Sequence, residues 1–241
     1  MQQCITGALS FNGQRCTAIK VIFVAESLVS DFLEKLASSV SKVKCGLPFD
    51  SSSFVTPLPK QSQVQYLTDL LNDATSKGAA VTNSSTGGGS VHGLLMKPAI
   101  VFPVTANMRI WHEEQFGPII PVIAYKMIDE VKDYIVKSPY GQQAAIFSDN
   151  PEFLGRMVDI LSTSVSRINI NTQCGRSPDS FPFAGRKSSA QGTTSITEVI
   201  KAFSLETVVA HKDSAANDLQ YTDILAFSDF LSPLPGLQTK A

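Results

Sequence analysis

The apolar positions of the chain switch between two patterns. Gln2 to Ser10 reads as the end of a helix, and Asn12-Gly13 then turns the chain, since both residues tolerate positive φ. Ala18 to Val24 alternates poorly but is rich in Ile, Val and Phe, which suits a strand buried on both faces of a parallel sheet. From Ser27 to Lys44 the period changes to that of a helix, with Val29, Phe32, Leu33, Leu36, Val40 and Val43 on one stripe. Ser27 is the expected N-cap and Gly46 the expected stop. After a Pro/Ser-rich connection from Pro48 to Pro59, Gln61 to Lys77 predicts a second helix. Val64, Leu67, Leu71 and Ala74 face inward there, and Gly78 closes it.

Leu94 to Val101 and Ile119 to Tyr125 read as strands. Asp129 to Lys137 is a helix ending before Pro139, because a residue preceding proline disfavours helical geometry. Gln143 to Phe147 is a strand, Asn150-Pro151 opens another helix, and Val165 to Ile170 is a strand. Strands alternating with helices of this length imply βαβ units. The expected class is α/β, with a mainly parallel twisted sheet flanked by helices. Phe203 to His211 is a late β-type run. Asp213 to Ala241 is polar and then Pro/Leu-rich, a tail expected to gain what order it has through Phe227, Phe230 and Leu231.

Composition narrows the function classes. The 241 residues are 43% hydrophobic and carry a formal net charge of −1. That gives an ordinary core and no electrostatic case for nucleic acid or an anionic membrane, so any anion binding must be local. No apolar run approaches the roughly 20 residues that span a bilayer. The first residues, MQQCITGA, have no basic n-region, so no signal peptide is expected, and reduced thiols in the cytoplasm are the default. Cys4, Cys16, Cys45 and Cys174 are irregularly spaced, and His92, His112 and His211 show no ligand spacing, so no metal is expected. Gly87-Gly88-Gly89 precedes no helix pattern and reads as a loop rather than a phosphate cradle.

Cys16 is the candidate for chemistry. It follows a Gly-Gln-Arg turn and precedes the first strand run. A thiol reacts as thiolate, and the neighbouring Arg15 favours that form. The alternative for any single cysteine is a buried small hydrophobe. Cys45, at a helix end, reads as structural.

Three blocks carry a resemblance. GQRC (Gly13 to Cys16), HEEQFGPIIPV (His112 to Val122) and SRININ followed by GRSPDSFPFAGRKSS (Ser166 to Asn171, Gly175 to Ser189) resemble, in order, blocks of the aldehyde dehydrogenase superfamily. The Arg-Cys pair looks like its NADP-dependent, non-phosphorylating glyceraldehyde-3-phosphate dehydrogenase branch. The resemblance implies a catalytic domain over residues 1–201 and an NADP or NAD cofactor. It implies Cys16 as nucleophile, with its own N–H as one oxyanion donor. Glu114 matches a ribose-binding glutamate and Phe116 an aromatic beside the nicotinamide. Arg15 and Arg176 match arginines that hold a substrate phosphate, and Phe183 an aromatic lining the substrate tunnel or packed in the core. Residues 202–212 match a strand that joins a partner subunit's sheet, implying a homo-oligomer; an ordinary local strand is the other reading. The dinucleotide-binding domain, the general-base glutamate and a second oxyanion donor lie N-terminal to these blocks in the family pattern. A subunit-interaction module without turnover is therefore the second functional reading. A Cys-His hydrolase built on Cys16 and His112 has no third orienting residue and is set aside. Ser177 and Ala190 stand where the branch has glycine, which bears on loop geometry and substrate choice.

Overall fold

The computed structural model describes residues 1–231. Contacts divide the chain into a unit spanning Met1–Glu198 and a second that begins at Val199. The first unit opens with α1 (Gln2–Leu9), a tight turn (Ser10–Gly13), β1 (Ile22–Ala25) and α2 (Val29–Val40). It continues with α3 (Gln61–Ser76), β2 (Ala80–Val81), β3 (Val91–His92), β4 (Leu95–Met96), β5 (Ala99–Phe102) and the single turn α4 (Arg109–His112). Next come β6 (Ile119–Tyr125), α5 (Ile128–Lys137), β7 (Tyr140–Gly141), β8 (Gln143–Ile146), α6 (Pro151–Ser162) and β9 (Arg167–Ile170). Three two-residue strands follow, β10 (Phe183–Ala184), β11 (Arg186–Lys187) and β12 (Thr193–Thr194).

The main sheet has the order β1-β6-β5-β2, with β1, β6 and β5 parallel and β2 antiparallel at one edge. The central strands are buried on both faces. Ile119 and Ile123 of β6 pack with Val101 of β5 beneath Leu67 and Leu71 of α3. Ile120 and Val122 pack on the opposite face with Ile100, Leu9 of α1 and Leu36 of α2. Each such side chain contributes roughly 1.5–3 kcal/mol by leaving water, so this two-sided core fixes β6, the strand that begins just after the Glu114–Phe116 loop. A second parallel pair, β8 with β9, packs with Met157 and Leu161 of α6.

The α/β class and the parallel sheet stand as expected, with several local differences. The first strand starts at Ile22, four residues late, and buries only Val24 because it lies at the sheet edge. Ser27 is not the helix cap. It sits inside a 3-10 turn, Glu26–Leu28, and α2 begins at Val29 without a side-chain cap bond. That helix ends at Val40 rather than Lys44, and Cys45 instead bridges Val55. The run from Leu94 to Val101 splits into β4 and β5 at Lys97-Pro98, where proline has no N–H for a ladder. Asn150 does cap its helix, accepting from the N–H groups of Glu152 and Phe153 at 2.9 and 3.1 Å.

The second unit contains most of α7 (Ile196–Ala202) and α8 (Ala215–Leu225). Phe203 to His211 forms no strand among the described residues, and Phe203 and Leu205 are 90% and 97% exposed. Within the expected tail lies α8, which Ser214 caps by accepting from Asn217 N–H; it lacks an apolar stripe and so left no periodic signal. Phe227 and Phe230 are exposed rather than anchoring that segment. Residues 232–241 of the tail lie outside the described residues. No helix among the described residues is long and apolar enough to cross a membrane.

Candidate active site

Three consecutive residues, Phe11, Asn12 and Gly13, have left-handed φ of 54°, 60° and 69°. They swing the chain from α1 back toward the sheet. Gly13 makes this possible: a Cβ there would lie 2.5 Å from Gly117 O and 2.7 Å from Ala8 O. Asn12 is buried, its Oδ1 accepting the Thr56 N–H at 2.8 Å and its Nδ2 donating to Thr56 Oγ1 at 3.2 Å. The turn therefore carries Cys16 into solvent on a fixed backbone. Cys16 is the exposed one of four thiols. Cys4 and Cys174 are buried, and burial pushes both pKa values up, Cys174 to about 11. Burial also raises Cys45, against the opposing charge of Lys97. The N–H of Cys16 has no hydrogen-bond partner among the described residues. Arg15 is anchored on the turn itself. Its Nη2 donates to Ser10 Oγ at 2.6 Å, its guanidinium lies 5.3 Å above the Phe11 ring, and its buried Nε has no partner.

The Gly13–Gly117 approach brings the second block against the cysteine turn. Phe116 takes φ of 45° beside Gly117 and leaves its ring partly exposed. Gln115 is buried and its Nε2 donates to Ile19 O, Lys20 O and Ile119 O at 3.2, 3.1 and 3.0 Å. Gln63 Nε2 donates to Phe116 O at 2.9 Å and the Tyr66 hydroxyl to Glu114 O at 2.9 Å. Glu113 is taken by a two-pronged bond from Arg109, at 2.7 and 2.9 Å, which holds its carboxyl below the usual range. Glu114 is solvent-accessible, yet the protein around its carboxyl raises its pKa, with the Lys20 charge opposing. Its main chain is fastened and its carboxylate is left to accept hydroxyl donors.

Lys20 is one of the residues that sequence reasoning missed. Its Nζ donates to Ile110 O at 3.2 Å and Glu113 O at 2.6 Å, tying the segment between Cys16 and β1 to the block that bears Glu114. A lysine inside the apolar run AIKVIFV was the available signal. Burial lowers its pKa to about 8, with Glu114 and Glu113 opposing. Between that value and the unfolded value near 10.5 the unfolded state binds more protons, so this group makes stability rise with pH, at up to about 1.4 kcal/mol per unit. The buried thiols and Tyr134, all raised, act in the opposite sense above about pH 9. Subtracting Lys20→Met from wild type isolates the effect. In urea unfolding from pH 7 to 10, the variant is expected to lack the rise; parallel curves would remove the buried ammonium from the account.

The third block reaches the same region through α1. Gln3 Oε1 accepts from Gln173 N–H at 3.0 Å, and Gly7 packs on Ile19 and Gln173. Arg176 is exposed, with its guanidinium 5.3 Å above the half-buried Phe183 ring and its Nε 3.8 Å from Asp179. Asn169 is buried and its Nδ2 donates to Gln143 Oε1 and Ala144 O, which ties β9 to β8. His112 bonds to Ala106 O rather than to Cys16. Among the described residues no cluster of His, Cys, Asp or Glu could hold a metal ion.

The family model for the aldehyde dehydrogenase family matches residues 1–209. The chain belongs to the aldehyde dehydrogenase family. It is 34% identical to the NADP-dependent glyceraldehyde-3-phosphate dehydrogenase of Streptococcus equinus over 198 residues, covering 82% of this chain and 40% of that protein. The enzyme of the same description from Pisum sativum is 35% identical over 81% of this chain and 38% of its own. The crystal structure of NADP-dependent glyceraldehyde-3-phosphate dehydrogenase from Bacillus halodurans C-125 complexed with NADP superposes with a TM-score of 0.76 at 33% identity. It covers 81% of this chain and 40% of that one. The chain thus spans about 40% of the length of the aldehyde dehydrogenases it matches.

Proposed function

We propose that the chain carries the nucleophile, the ribose contact and the substrate-anion contacts of an NADP-dependent aldehyde dehydrogenase, with glyceraldehyde 3-phosphate as substrate and 3-phosphoglycerate as product. The observation that carries this reading is the approach of Gly13 to Gly117. It sets the turn bearing the exposed Cys16 against the loop bearing Glu114 and Phe116.

The chemistry follows from what each group can do. The Cys16 thiolate adds to the aldehyde carbon, and the carbonyl π pair moves to oxygen. The unpartnered Cys16 N–H donates to that oxygen where the charge develops. NADP, when bound, supplies the acceptor for the hydride. The carbon left on sulfur is a thioester, which water converts to the acid as the thiolate leaves and a proton is released. The Glu114 carboxylate accepts from the two ribose hydroxyls, and the open Phe116 ring is the apolar contact for the nicotinamide. Arg15 and Arg176 take the substrate phosphate, since a guanidinium fork matches phosphate oxygens in pairs. The arginine-bearing loops and the relatives' NADP dependence both support this assignment.

The test is NADPH formation with glyceraldehyde 3-phosphate. Glu114→Gln is expected to raise KM for NADP about tenfold, the worth of a hydrogen bond to a charged group, with a smaller change in kcat. Unchanged KM would remove Glu114 from the cofactor site. The exposed, unpaired run from Phe203 to Val209 supports a second copy as partner, pairing along that segment. It also favours the subunit-module reading, to which a chain that forms no NADPH would be assigned.

A further inference from the structure

Arg167 is not used by the reading above, yet it is more fully engaged than either arginine assigned to the phosphate. It stands on β9, directly opposite Gln143 of β8 in the parallel register. Its Nη1 donates to Gly175 O at 3.0 Å and Arg176 O at 3.4 Å, and its Nη2 to Ser177 O at 2.9 Å. Three successive peptide carbonyls thus converge on one guanidinium, whose outer face lies 5.8 Å from the Phe181 ring. Gln143 grips the same loop from the neighbouring strand. Its Nε2 donates to Gly175 O at 2.9 Å and its Oε1 accepts the Gly175 N–H at 3.0 Å. Two register partners of a sheet therefore clamp the backbone at 175–177. The side chain of the middle residue, Arg176, is by contrast lightly held and open to solvent.

We propose that Arg167 is a positioning residue for the substrate anion: with Gln143 it fixes the 175–177 backbone so that Arg176 is presented to a phosphate dianion in one orientation. The proposal rests on the reading of Arg176 as an anion contact. The physical case is one of preorganisation. A binding arginine on a free loop must order that loop on binding, whereas a clamped one has only its own side chain to order. The planar fork is what allows one cation to serve three carbonyls. A lysine ammonium keeps the charge but loses that geometry.

The experiment uses the full chain and inorganic phosphate as probe. Phosphate is titrated while the Arg176 Nε–H signal is followed by nitrogen-15 NMR, and amide exchange is read over residues 175–181. Arg167→Lys is expected to weaken phosphate binding about tenfold at unchanged net charge, and to lose protection at the Gly175 N–H, the amide of this loop that Gln143 holds. Gln143→Ala, a milder release of the same loop, is expected to shift both readouts in the same direction and keeps the test open if Arg167→Lys does not fold. Arg176→Gln is expected to abolish binding with protection intact. Wild-type affinity in folded Arg167→Lys, or in Gln143→Ala if the lysine variant is unfolded, overturns the positioning role alone, provided Arg176→Gln still abolishes binding. A wild-type chain that binds no phosphate, or binds it without moving the Arg176 signal, overturns the anion reading and this proposal with it.

Discussion

In the proposed NADP-dependent aldehyde oxidation, Cys16→Ala is expected to lower turnover by at least about 10^3-fold, the scale of losing a covalent nucleophile. No other thiol in the chain can replace it. Cys4 and Cys174 are buried with raised pKa values, and Cys45 is raised as well and sits beyond α2, at its bridge to Val55. Alanine keeps the backbone N–H and the turn, so the fold and the proposed phosphate contacts should survive and only the covalent step should fail. Cys45→Ala is the control and is expected to leave turnover unchanged. NADPH formation under identical conditions reads both. Turnover retained in Cys16→Ala would remove that thiol from the mechanism.

Gly13→Ala is expected to destabilise the chain by about 3 kcal/mol or more, combining left-handed strain with a steric clash. Its φ is 69°, and the new methyl would meet Gly117 O at 2.5 Å and Ala8 O at 2.7 Å. Both obstacles are backbone, so no side-chain rotation relieves them. The chain must move α1 or the Gly117 loop, and either motion displaces Cys16 from Glu114's loop. Turnover should fall even at temperatures where the variant remains folded. Gly155→Ala in α6 is the comparison. Nothing lies within 4 Å of its Cβ position, and a stabilisation of about 0.5–1 kcal/mol is expected from helix propensity. Urea unfolding measures the pair. Equal stabilities for Gly13→Ala and wild type would refute the tight approach of the two loops.

How much of this was legible in the sequence depends on where the determining force lies. β6 could be read residue for residue, Ile119 to Tyr125, because a run buried on both faces is apolar throughout and bounded by Gly117-Pro118. The helix at Gln61 showed its inward residues because Val64, Leu67, Leu71 and Ala74 recur at helical spacing among polar neighbours. The edge strand β1 was misplaced because its start is decided by pairing with Val122, a contact 100 residues distant. Ser27 failed as a cap because the chain enters α2 through a 3-10 turn. At the candidate site, the candidate residues of the motif blocks were visible as words: Cys16, Glu114, Phe116, Arg176. The residues that hold those words in place were not. Lys20, Gln115 and Tyr66 act on carbonyls 48 to 96 residues away and Arg167 on those of the 175–177 loop, and a carbonyl acceptor leaves no mark in a sequence.

The proposed reaction requires that Cys16 take up the aldehyde carbon. The direct measurement is peptide mass mapping of the chain quenched during reaction with glyceraldehyde 3-phosphate and NADP. The expected result is a phosphoglyceryl thioester on the peptide containing Cys16 and on none containing Cys4, Cys45 or Cys174. A thioester on another cysteine, or NADPH accumulating with no thioester at all, would contradict it.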